Sequence, residues 1–247
     1  MSDVAVVPPQ AAPAAAAGRR RLLAGIFIMS LGSLLLELAL TRIFSVVLFY
    51  HFAFLAISVA LLGLGAGGVF AYLRRDWLAQ WPTRKLGGRL CAINAIAIFL
   101  VLEIVLHVPV SLNLTEANFL RLTVIYLATA APFFFTGLMF AVVFAREAGR
   151  IGSLYGADLV GGALACLAVV PLLNWLGGPN TVLFAALAMG IASLVWHAAG
   201  QRRFGMIVTV VLAAMIVANY SGKLVDVVYA KGNLESKELL LFSRWNA

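Results

Sequence analysis

Apolar runs of membrane length, each closed by a short cluster of arginine or lysine, dominate this sequence. A helix needs about 20 apolar residues to cross roughly 30 Å of hydrocarbon. The stretch from Leu22 to Leu73 is too long for one span, and Arg42 with Tyr50 and His51 marks the turn between two, over about 22–45 and 50–73. Further spans are expected over about 89–110, 121–145, 153–175, 179–199 and 204–220. The expected fold is therefore all-α: a polytopic integral membrane protein with about seven transmembrane helices occupying residues 19–220.

Composition narrows the class further. Of the 247 residues, 63% are hydrophobic and 11% charged, and the mean hydropathy is +1.01, more than a soluble domain of this length can hide. The net charge of +8 does not point to nucleic acid, because the basic residues lie at the ends of apolar runs, where membrane insertion uses them, and form no basic stripe. Residues 1–18 are Pro/Ala-rich and read as a disordered leader. Arg19, Arg20 and Arg21 follow the alanines and flank a full-length span, so this is not a cleaved signal peptide. Cys91 and Cys166 fall inside apolar runs and suggest no disulfide, metal or redox role.

The basic clusters alternate between loops. Arg19 to Arg21, the run Arg74, Arg75, Arg84, Lys85 and Arg89, the pair Arg146 and Arg150, and the pair Arg202 and Arg203 are expected on one side; the intervening loops hold Arg42 and Arg121. The positive-inside rule then puts the N-terminus in the cytoplasm, and the expected location is a bacterial inner (plasma) membrane. With seven spans the tail, residues 221–247, emerges outside. It mixes β-branched residues with charge and ends on "FSRWNA", like the opening of a folded, truncated extramembrane domain.

Several patterns invite chemistry. Gly63, Gly65 and Gly68 spell G-x-G-x-x-G, but a dinucleotide site needs them between a strand and a helix; here they sit in a membrane run, and Gly63 with Gly67 forms a small-xxx-small packing face. Glu37, Glu103 and Asp158 are acids within spans, which default to a functional hypothesis. The ordinary alternative pairs Glu37 with Arg42, Glu103 with His107, and Asp158 with Arg146, Arg150 or a neighbouring backbone. His51, His107 and His197 lack metal-ligand spacing, Asn113 opens a glycosylation sequon, and no nucleophile stands with a base. Pro132 within "APFFFTGLMF" predicts a kinked helix whose freed carbonyl the Thr136 hydroxyl or a neighbouring helix satisfies. No catalytic, cofactor-binding or metal site is expected.

"LLLELALTRIFSVVL", with Glu37, Thr41 and Arg42, resembles the E-x-x-x-T-R element in the first helix of membrane-fused spermidine synthase-like proteins. The block from Ala131 to Pro179 is similar to that family's next element, a Pro/Phe/Gly helix and a short basic loop followed by G-x-x-Y-x-A-[D/N]-x-x-G-[A/G]-x-x-[G/A], here through Gly152, Tyr155, Ala157, Asp158, Gly161, Gly162 and Ala165. "FSRWNA" is similar to the family's entry into its soluble domain. The resemblance implies a helical membrane domain fused to an aminopropyltransferase-like domain, whose Gly-rich strand end and catalytic aspartate do not occur in these residues. Under it, Asp158 is a hydrogen-bonding group at a glycine-lined crossing formed by Gly152, Gly156, Gly161 and Gly162, and Asp158→Asn leaves folding and function intact. Three roles follow as expectations: a membrane anchor or scaffold without catalytic activity of its own; an accessory subunit joining other membrane subunits through glycine-rich faces in the lipid bilayer; or a transporter of polyamines or other cations using Glu37, Glu103 or Asp158.

Overall fold

Unbranched apolar residues and alanine favour helix, and in lipid the backbone must satisfy its own hydrogen bonds. The computed structural model describes residues 11–48, 52–110, 115–197, 202–220, 224–226, 229–230 and 233–234. It contains α1 (Ala11–Val47), α2 (Ala53–Leu73), the short α3 (Arg75–Ala79), α4 (Thr83–His107), α5 (Glu116–Arg146), α6 (Ile151–Trp196) and α7 (Arg203–Ala218). Two two-residue strands, β1 (Tyr229–Ala230) and β2 (Asn233–Leu234), pair antiparallel in the tail. Among the described residues, five helical segments, comprising α1, α2, α4, α5 and α6, are long and apolar enough to cross a membrane, and the chain is a helical integral membrane protein.

Several boundaries differ from the sequence reading. Residues 11–18 of the expected leader continue α1 as helix, as an alanine-rich stretch can with its one proline in the first turn. Arg42 lies inside α1 and not at the turn, which follows Val47. "LGGR" belongs to α4, because Gly87 and Gly88 let the side chains of Trp196 and His197 pack against the helix backbone. The expected spans over 153–175 and 179–199 join without a loop in the 46-residue α6, interrupted at Gly177, whose φ of 80° favours glycine. Pro179 then sits in the first turn of the second half, where a missing N–H costs little.

Contacts with α1 reveal what that interruption does. Arg19 of α1 donates to the Ser153 hydroxyl at 3.4 Å, and Gly161 packs on Phe27, so the first half of α6 climbs α1 in parallel. Gly25 faces the Trp196 indole and Gly32 faces Ala185 and Ala188, so the second half descends α1 antiparallel. The chain therefore reverses at Gly177, and both ends of α6 lie beside the N-terminal end of α1. α7 runs antiparallel to the second half: Gly205 meets Ser193 and Gly190 meets Thr209. α2 and α5 run parallel through Gly63, Gly67 and Gly137, while α4 crosses α5 antiparallel, joined by Asn94 and Thr136 at 3.0 Å.

α1 supplies the centre of the core, with Leu35, Leu36, Ala39, Leu40, Ile43 and Phe44 buried. Outside it, α2 turns Phe54, Leu61 and Leu62 outward, and α6 turns Leu159, Val160, Leu167 and Trp175 outward. In water such faces would drive aggregation; in a bilayer they meet acyl chains.

Candidate functional site

On α1, Ser30, Ser33 and Glu37 follow one another at i, i+3 and i+7 and share a face. On the first half of α6, Asp158, Gly162 and Cys166 recur every four residues and share another. The two faces meet in a cleft of about 470 Å³, closed by Leu34 and Leu159 and, from α2 and α5, by Leu64 and Phe140. Gly161 lies against the Phe27 carbonyl, and Gly162 would place a Cβ 3.3 Å from Leu34, so these glycines set the close crossing of α1 and α6. Across it, the Ser30 hydroxyl donates to the backbone carbonyl of Asp158 at 2.8 Å.

The crossing thus uses the Asp158 backbone, and the carboxylate is left over. Arg146 does not reach it: that guanidinium donates to the carbonyls of Leu78 (2.6 Å) and Trp81 (2.9 Å) and to the Thr83 hydroxyl (2.9 Å). Arg150 pairs with Glu147 at 3.4 Å. Nor does Glu37 pair with Arg42. Five residues around a helix is about 140° of rotation, so the two side chains leave on different faces, and the buried Arg42 Nε has no partner among the described residues. Among those residues, neither the Glu37 nor the Asp158 carboxylate has a hydrogen-bond or ion-pair partner. An ionised acid at the centre of an inserted helix costs on the order of 3 kcal/mol, so two in one cleft demand a compensating group or neutralisation.

Glu103 is not part of this cleft. It sits near the far end of α4, with His107 Nδ1 at 3.4 Å from its carboxylate, the i, i+4 contact expected from the sequence. Gly63 and Gly67 seat α2 on α5, where an added Cβ would strike the carbonyls of Ala130 and Phe134. Gly65 and Gly68 face open space in mid-helix, so the G-x-G-x-x-G pattern has no strand-to-helix turn. Gly152 and Gly156 likewise meet nothing within 4 Å and make no close approach among the described residues, because they lie on a side of α6 that no described helix covers. The Thr136 hydroxyl donates to the Pro132 carbonyl at 3.1 Å, not to the Ala128 carbonyl left without its N–H by the proline, and α5 continues through Pro132. Among the described residues no three His, Cys, Asp or Glu gather to hold a metal. His51, Asn113 and "FSRWNA" lie outside the described residues.

Two polar clusters escaped the sequence reading. At the reversal, Asn180 and Asn219 are both buried and bond each other, and Asn219 also holds the backbone of Leu224 and Val225. At the arginine-rich end, the Ser193 hydroxyl donates to the Gly88 carbonyl at 2.7 Å, and His197 Nδ1 donates to the Ser193 carbonyl at 2.9 Å. Burial lowers the His197 pKa from its ordinary 6.5, the hydrogen bond to Ser193 opposes that, and the nearby positive charges of Arg89 and Arg202 add to the lowering. The signal available was asparagine within apolar runs, since an unpartnered amide there is costly.

Arginines collect at one end of the bundle. Arg19, Arg21, Arg84 and Arg150 line a shallow pocket of about 280 Å³ with Glu147, beside Trp196. Nearby, Lys85 and Arg89 lie over the Trp81 ring at 5.5 and 5.2 Å from its centre. No family model matches this chain, and no curated protein or solved structure matches it either.

Proposed function

We propose that this chain is a membrane-embedded anchor and scaffold, resembling the N-terminal part of spermidine synthase-like proteins, that crosses the bilayer seven times with its N-terminus in the cytoplasm. The observation that carries the scaffold role is the Asn219 clasp: Asn219 holds the backbone N–H groups of Leu224 and Val225 at 2.9 and 2.8 Å while bonding Asn180 at the α6 reversal. The chain leaving α7 is thereby fixed to the bundle, which suits a membrane domain that must orient what it carries.

Seven crossings are supported by the reversal at Gly177, which makes two antiparallel segments of α6, and by α7, whose 16 residues span about 24 Å alongside the second of them. The cytoplasmic N-terminus is supported by the gathering of Arg19, Arg21, Arg84 and Arg150 at one end. On this reading the Asn219 end, and with it the carried segment, faces away from the cytoplasm, so a fused domain would act without a cytosolic substrate.

Two measurements test the reading. Limited proteolysis of Asn219→Ala is expected to cut the chain after α7 several-fold faster than in the parent; unaltered cleavage would overturn the clasp that carries the scaffold role. In a background with Cys91→Ser and Cys166→Ser, Leu224→Cys is expected to react with a membrane-impermeant maleimide in intact cells and Arg84→Cys only after lysis. The reverse pattern would overturn the topology.

A further inference from the structure

We infer that the cleft between α1 and the first half of α6 is a binding site for an organic ammonium ion with an apolar body, held by the carboxylates of Glu37 and Asp158. Charge is the first requirement that the site states. Two acids line one cleft with no partner among the described residues, while the arginines nearest in sequence are either committed elsewhere or point away. A cation entering the cleft supplies the missing counter-charge to both.

A second and independent feature is Ser33. It is only 8% exposed and lines the cleft, yet among the described residues its hydroxyl has no hydrogen-bond partner. A helical serine in an apolar setting ordinarily bonds the carbonyl one turn back, as Thr41 and Thr129 do here with Glu37 and Ile125. Ser33 instead keeps an acceptor free beside Glu37, where an ammonium N–H can use it.

Wall chemistry and size select the class of cation. Leu34, Leu64, Phe140 and Leu159 supply apolar surface. A bare divalent ion needs six or more oxygens in a close shell, whereas about 470 Å³ with apolar walls fits a small organic molecule. Leu159, Ala163 and Cys166 lie on the outward side of α6, so the cleft opens toward the acyl chains, and its occupant must itself be apolar enough to arrive that way. This site stands whether or not a further domain follows the bundle.

The test uses the whole chain in nanodiscs, with n-butylammonium as probe and n-butanol as its neutral counterpart. Butylammonium is expected to raise the thermal unfolding midpoint in a saturable way and to slow alkylation of Cys166, the exposed cysteine of the cleft, while the buried Cys91 stays unreactive. Glu37→Gln and Asp158→Asn are each expected to weaken the effect about tenfold or more; Glu103→Gln, at a residue that does not line the cleft, leaves it unchanged. Equal protection by butanol, or full protection in a folded Glu37→Gln, Asp158→Asn double variant, would overturn the site. So would Cys166 alkylation indifferent to butylammonium up to its solubility limit.

Discussion

Asn180, three residues past the break in α6, and Asn219, at the end of α7, grip each other: Asn219 Nδ2 donates to Asn180 Oδ1 at 3.0 Å, and Asn180 Nδ2 donates to the Asn219 carbonyl at 3.0 Å. Both side chains are buried, and Asn219 Oδ1 also accepts from the backbone of Leu224 and Val225. Removing one partner leaves several polar groups without water or protein, which is costlier than the bonds themselves. Asn219→Ala is expected to destabilise the detergent-solubilised protein by about 2 kcal/mol or more. Thermal unfolding followed by size-exclusion chromatography checks it, and an unchanged midpoint would remove the clasp from the account.

Gly67 and Gly65 offer an internal comparison on one helix. A Cβ at Gly67 would collide with the Phe134 carbonyl and lie 2.6 Å from Leu138 N, whereas one at Gly65 meets nothing within 4 Å. Forcing α2 and α5 apart is expected to cost about 1–3 kcal/mol. Gly67→Ala should therefore lower the unfolding midpoint while Gly65→Ala leaves it within error, and equal effects from the two would refute the close crossing.

His197 makes stability depend on pH. Its folded pKa lies below the unfolded value near 6.5 because burial disfavours the charged ring. Between those two values the unfolded chain binds more protons, so the stabilisation is complete above about 6.5 and is lost as pH falls through the folded pKa, at less than about 1.4 kcal/mol per pH unit. Unfolding midpoints measured from pH 7.5 down to 5 should fall, and His197→Gln should flatten the slope in that range.

Arg146 ties the loop after α2 to the end of α5 through three hydrogen bonds, two to backbone carbonyls and one to Thr83. A planar guanidinium can serve all three at once, and lysine cannot reproduce that fork. Limited trypsin digestion should cut Arg146→Lys at Arg74, Arg75, Arg84 or Lys85 several-fold faster than the parent chain, with the helices themselves still protected. Unaltered cleavage would show that the loop is held by other contacts.

Part of the cleft was legible beforehand. Glu37 and Asp158 stand out in apolar runs because water cannot compensate them there, and Gly63 with Gly67 announces a close crossing by spacing alone. Their expected ion pairs were not legible. Partner choice depends on helix rotation and on rival acceptors, and Arg146 prefers carbonyls that are remote in sequence. Ser33 gave no signal, because a serine in a helix normally satisfies itself.

By itself, the sequence determined that this chain makes long apolar helices bounded by arginine, since hydrocarbon thickness and backbone desolvation leave such runs little choice. It also placed a boundary between two helices at about residues 175–179. Only the tertiary structure decided that the two halves of α6 fold back along α1, that Glu37 and Asp158 share a cleft while Glu103 stands apart, and that Asn219 closes the far end. Those outcomes rest on how helices rotate and interlock, which depends on glycine and serine contacts between segments more than a hundred residues apart, and no local pattern encodes them.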